Sequence, residues 1–173
     1  MTSGALYLEF ESEGPATQSD KTLIWNVNQA NAALLFRKVT RKYPLSDLIS
    51  PFHFQEQSDS RENWTGDDYL VFWADILINK VHTIYFVDNW EYSCGCAYEF
   101  LIAMKNGIGT RSSQYREITL QQGIGLIHSA LQDYGDNGVC HCFLTEVYKE
   151  LLRMDFENTM GKELDKCEVC NHG

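Results

Sequence analysis

Short apolar runs alternate with longer stretches of helical spacing along this chain. "ALYLEF" (5–10), preceded by Gly4, reads as a strand. The turn-rich "ESEGPATQSDK" reads as a loop. In "WNVNQANAALLFRKVTRKYP", Ala32, Ala33, Phe36, Val39 and Thr40 recur at near-helical spacing and Pro44 closes the run, which predicts a helix. "LSDLISPFHF" predicts a second short strand ending at Pro51, and "QEQSDSRENWTG" a long polar loop. "DDYLVFWADILINK" predicts a second helix, opened by acids that suit a helix N-terminus. "VHTIYFVD" is the strongest strand, apolar nearly throughout as a strand covered on both faces would be. "CAYEFLIAMKNG" reads as a third helix stopped by Gly107, and "IGTRSSQYREIT" as a weak strand. "LQQGIGLIHSALQDYG" is a fourth helix with two glycines in its first half, and "HCFLTEVYKELLRMDFENTM" a fifth, amphipathic one.

Strands alternating with helices predict an α/β fold: a flavodoxin- or Rossmann-like parallel sheet with helices on both faces. Residues 1–132 are expected to form that domain, and residues 133–173 a helical, cysteine-containing C-terminal extension. Ligands in such sheets bind beyond the carboxyl ends of the strands. The loop after "VHTIYFVD" and the residue Tyr7 lie at such ends.

That loop, "WEYSCGCAYE" (90–99), carries the candidate chemistry. Between a strand and a helix, backbone amides and the helix N-terminus form an anion site. Gly95 permits a tight turn and close approach by a phosphate, and Ser93 offers a hydroxyl. Glu99 falls near the start of the following helix, and Asp75 lies on the preceding one. Two carboxylates beside a phosphate cradle suit cleavage at a sugar's anomeric carbon. An acid in the first turn of a helix is also an ordinary dipole partner, so the residues by themselves leave both readings open.

The stretch "DNWEYSCGCAYEFLIA" resembles the S-x-G-x-x-x-E-x-x-x-A loop and helix of the nucleoside 2-deoxyribosyltransferase-like superfamily, with Ser93, Gly95, Glu99 and Ala103 in the matching places. Trp90-Glu91 resembles a pair found before that serine in the uncharacterised phage and bacterial branch. "DDYLVFWADILINKVHTIYFVD", "LISPFHF" and "ALYLEF" are similar to the family's helix-to-strand segment and its second and first strands, so the likeness covers about residues 5 to 132. The resemblance implies Glu99 as the nucleophilic carboxylate, Asp75 as sugar-orienting or proton-transferring, and Tyr7 as the hydroxyl that positions the nucleophile. It implies a 5'-phosphate on Ser93 and Gly95. Asp88 and Trp90 lie in the same loop beside the expected substrate, and Trp90, like Trp64, is placed either to stack on a base or to pack against the domain. Serine at 93, where true deoxyribosyltransferases tend to carry aspartate, resembles the deoxynucleoside-monophosphate N-glycosidases. A hydroxyl donates to a phosphate that a carboxylate would repel. The sequence departs from the pattern at Phe10-Glu11, where a small pair is usual, and at Thr83, where an aspartate is common. The expected activity is cleavage or exchange of the N-glycosidic bond of a (deoxy)nucleoside 5'-monophosphate. The rival reading is a catalytically silent nucleotide-binding protein on the same fold. The resemblance also implies a homo-oligomer.

Charge and cysteines refine this picture. A formal net charge of -10 disfavours a duplex nucleic acid partner. "RKVTRK" is the only basic cluster, most simply a solvated helix face. No apolar run reaches membrane-span length, and the N-terminus lacks the pattern of a signal peptide, so a cytoplasmic protein with reduced thiols is expected. Cys94 and Cys96 read as small buried thiols, or alternatively as a thiolate activated by the helix N-terminus. Cys140, Cys142, Cys167 and Cys170 bracket the last helix, and four thiolates there suit a structural zinc that clips that helix to the domain. Catalysis needs no cofactor in this reading. His82 and His128 are expected in the core, and His53 and Trp64 near the crevice mouth.

Overall fold

A computed structural model describes residues 18–50, 65–138 and 141–169. Helix α1 (Gln18–Lys42) buries Asn28, Ala32, Leu35 and Val39 along one stripe. Its inward face thus runs through Leu35 rather than Phe36, and the helix starts ahead of the predicted Trp25. Helix α2 (Gly66–Lys80) is opened by a capping box. The Asp68 N–H donates to Thr65 Oγ1 at 3.3 Å and the Thr65 N–H donates to the Asp68 carboxylate at 2.7 Å. Strand β1 (Thr83–Tyr85) follows, then a 3-10 turn (Trp90–Tyr92), helix α3 (Cys94–Asn106), strand β2 (Gly109–Arg111), helix α4 (Leu120–Asp136) and helix α5 (Cys142–Val169).

The class is mixed α/β: mostly helix around a small parallel sheet. Strands β1 and β2 pair in parallel, Thr83 opposite Gly109 and Tyr85 opposite Arg111. Helix α3 is their crossover, as parallel strands require. Gly107 closes α3 in the left-handed conformation at φ 65°, the predicted stop. Helices α2 and α3 both end just before a strand of the pair starts, and Leu77 of α2 shares an apolar cluster with Ala103 of α3.

Alternate residues of β1 serve two apolar clusters. Ile84 and Phe86 pack with Ala97 and Phe100 of α3, Ile127 of α4 and Leu144, Val147 and Leu151 of α5. Tyr85 and Val87 pack with Ala32, Leu35 and Val39 of α1. Helix α5 therefore contributes to the main core. The expected boundary after residue 132 falls inside α4, and α5 is not an appendage. Burying its amphipathic face against α3 and α4 is what holds it there.

Two further expectations are corrected. The described part of "LSDLISPFHF", residues 45–50, forms no strand. Leu45 is fully exposed and Ile49 half-exposed, so among the described residues the segment does not bury the alternate side chains of a sheet strand. His82 and His128 are exposed rather than core, and His128 stacks on Tyr148 at 5.5 Å. The "ALYLEF" strand with Tyr7, together with His53 and Trp64, lies outside the described residues.

Candidate functional site

The loop after β1 is built from its caps outward. Asn89 sits in the left-handed region at φ 61°, a conformation asparagine tolerates, and turns the chain into the 3-10 segment. Ser93 ends that segment and opens α3, its Oγ accepting the Cys96 N–H at 3.3 Å. Ser93 is buried, so its hydroxyl serves first as a cap, and any anion at this helix end faces Cys94 and Gly95, which are half-buried.

Trp90 is corrected as a base-stacking residue. It is only 3% exposed, its ring lying 4.6 Å from Phe86 and 4.9 Å from Phe100, centroid to centroid. Core rings occupy the surface a base would need. Asp88 stays exposed on the loop and accepts the Ser113 hydroxyl at 2.6 Å, which ties the loop after β1 to the loop after β2. Glu91 is half-buried. Burial pushes its carboxyl above the usual range and the nearby charge of Asp88 pushes the same way, against a smaller opposing pull from its own backbone N–H.

Glu99 is half-buried on α3, one turn before Ala103 and on the same flank. Ala103 packs on Leu77 of α2. Asp75 does not join Glu99. Among the described residues of α2, Trp73 and Leu77 are the buried ones, and a residue two positions from each falls on the opposite side of the helix. Asp75 is exposed there, its carboxylate accepting the Asn79 side-chain amide at 2.8 Å. The expected pairing of two carboxylates across one crevice is thus corrected by the phase of α2.

The cysteines divide. Cys96 is fully buried in the core, as the structural reading held. Cys94 lies with its Sγ 3.7 Å from His141 Nδ1, and burial pushes its thiol up although the Leu144 N–H pulls it down. The helix N-terminus does not produce an activated thiolate there. Cys142 is the first residue of α5 and Cys167 lies two residues before its end at Val169. Cys140 and Cys170 lie outside the described residues, and among the described residues no three His, Cys, Asp or Glu side chains gather as a metal site.

The sequence reading missed a polar clasp behind the loop. The Tyr92 hydroxyl donates to the Asp133 carboxylate, and the Tyr134 hydroxyl donates to the Tyr92 carbonyl at 2.7 Å. Burial, then Asp133, pushes the Tyr92 phenol up to about 12. Tyr134 also packs its ring on His141 at 3.9 Å. No local pattern announces the pairs that Tyr92 makes with Asp133 and Tyr134, because those partners are more than forty residues from it in sequence.

No helix among the described residues is long and apolar enough to cross a membrane. Comparison of the chain with protein-family models, curated proteins and solved structures finds no match in any of the three.

Proposed function

We propose that the chain binds a (deoxy)nucleoside 5'-monophosphate at the carboxyl edge of the β1–α3–β2 unit and cleaves or exchanges its N-glycosidic bond through Glu99. The reading takes this unit as part of a flavodoxin- or Rossmann-like sheet, in a cytoplasmic homo-oligomer. The observation that carries it is the junction of β1 and α3: parallel strand, left-handed turn, serine-capped helix, and a half-buried glutamate on that same helix. In the reaction, the Glu99 carboxylate forms a bond to the anomeric carbon as the bond to the base breaks. The electron pair leaves with the base, which takes a proton, and water or a second base then releases the sugar.

With Asp75 turned away, Glu91 is the better candidate for the proton donor. Its carboxyl holds a proton above the usual range, as a general acid should. The test is release of free base from a panel of 5'-monophosphates. Activity lost in Glu99→Gln, and an alkaline limb of the pH profile removed by Glu91→Gln, support the reading. The outward position of Asp75 favours a second one, in which the protein holds a nucleotide without cleaving it. Binding with no release, unaltered by Glu99→Gln, would establish that reading instead.

A further inference from the structure

The carboxyl edge of the sheet carries a second cluster, on the α1 side of β1. Tyr43 follows α1, Tyr85 ends β1, and Tyr115 lies in the loop after β2. Their ring centroids form a triangle with sides of 6.2, 6.5 and 6.0 Å. All three rings are half-buried and so keep some surface toward solvent. Lys42 sets its Nζ 3.8 Å from the Tyr115 centroid and 5.6 Å from that of Tyr43. Arg111, the last residue of β2, donates Nη1 to the Tyr115 carbonyl at 3.1 Å, and its charge acts on the Tyr85 phenol. Arg37, Lys38, Arg41 and Lys42 of "RKVTRK" are all exposed, as expected of a solvated helix face, and Lys42 in addition lies over these rings.

Tyr115 is also strained. Its φ is 65°, a region bulky residues avoid. The chain doubles back around it, with the Ser112 N–H donating to the Arg116 carbonyl at 2.8 Å and the Ile118 N–H to the Thr110 carbonyl at 3.0 Å. Glycine or asparagine would make this turn at lower cost, so the turn itself does not call for tyrosine. What the tyrosine adds is a ring beneath the Lys42 ammonium, beside a backbone carbonyl that holds the Arg111 guanidinium.

We propose that this tyrosine–lysine–arginine cluster binds a nucleoside monophosphate, its base against the tyrosine rings and its phosphate between Lys42 and Arg111. Aromatic faces accept any base by stacking. Guanidinium and ammonium groups give a phosphate charge-assisted hydrogen bonds, and a ring face, which attracts Lys42 by its charge, leaves the N–H donors for an anion. A chain of net charge -10 gathers these cations at one edge. The site uses none of Glu99, Glu91 or Ser93, so binding here stands or falls apart from cleavage.

Titration calorimetry on the full chain tests it with adenosine 5'-monophosphate, adenosine and ribose 5-phosphate. The monophosphate is expected to bind, with either fragment about tenfold weaker or worse. Lys42→Met and Tyr115→Gly should each weaken the monophosphate by about tenfold, with Tyr115→Asn as a second variant that keeps the left-handed turn. The loss of affinity in Lys42→Met should recur in the Glu99→Gln background, where cleavage is removed. The proposal is overturned if the folded wild-type chain does not bind the monophosphate, if ribose 5-phosphate binds as tightly, or if Lys42→Met and Tyr115→Asn leave affinity intact while melting normally.

Discussion

Glu91 and Tyr92 sit side by side in the loop, and both are pushed upward by burial. For Glu91 the folded form holds a proton that the unfolded form releases at lower pH. Its favourable contribution is complete below the unfolded value of 4.5 and fades as pH rises through the folded one. Glu91→Gln should therefore raise the melting temperature at neutral pH, with the gain vanishing near pH 4. The same substitution should lower base release, the pattern of a group kept for function at a cost in stability. Tyr92 follows the same sign at the other end of the scale: its contribution is complete below the usual phenol value of 10.0 and is lost as pH rises toward about 12. Tyr92→Phe removes the donor to Asp133 and should cost about 1–2 kcal/mol in denaturant unfolding at neutral pH. No loss there would mean that the clasp does not hold the loop.

At the scale of elements, the two glycines in the first half of α4 make opposite predictions. A Cβ on Gly123 would fall 2.2 Å from the Phe100 ring, so α4 lies against α3 only because that side chain is missing. Gly123→Ala should destabilise by about 1–3 kcal/mol or more. Gly125 meets nothing within 4 Å, and Gly125→Ala should stabilise by about 0.5–1 kcal/mol through helix propensity. Equal effects of the two in thermal unfolding would contradict this packing. The helices were legible because their stripes and stops are local: Gly107 closes α3, Thr65 and Thr119 cap α2 and α4. Strand β1 was legible as an apolar run, but its extent, Thr83–Tyr85, depends on how far β2 pairs with it. The site was less legible for the same reason. The letters of "DNWEYSCGCAYE" do not say that Trp90 tucks under the turn, nor does the spacing of Asp75 say which way α2 faces. Those facts are set by what packs on each helix. The tyrosine cluster drew on three segments far apart in the chain, each of which read locally as a helix end, a core strand or a weak strand.

At the scale of the whole molecule, α5 closes the core that the loop and α3 rest on. Leu144 and Leu151 are fully buried among residues of β1, α3 and α4. Leu151→Ala should cost about 2–5 kcal/mol and shift one cooperative unfolding transition. A separate, earlier transition for α5 would mark it as an independent extension. Both proposed sites lie at the carboxyl edge of one parallel strand pair, where the ends of β1 and β2 present their loops together. The central claim is that Glu99 breaks the bond between sugar and base. Its most direct measurement is free base released from nucleoside 5'-monophosphates by the full chain and by Glu99→Gln, both checked for equal folding. Release by the wild type, reduced about 100-fold or more in the variant, is predicted. No release from any monophosphate, or equal release by both, would contradict it.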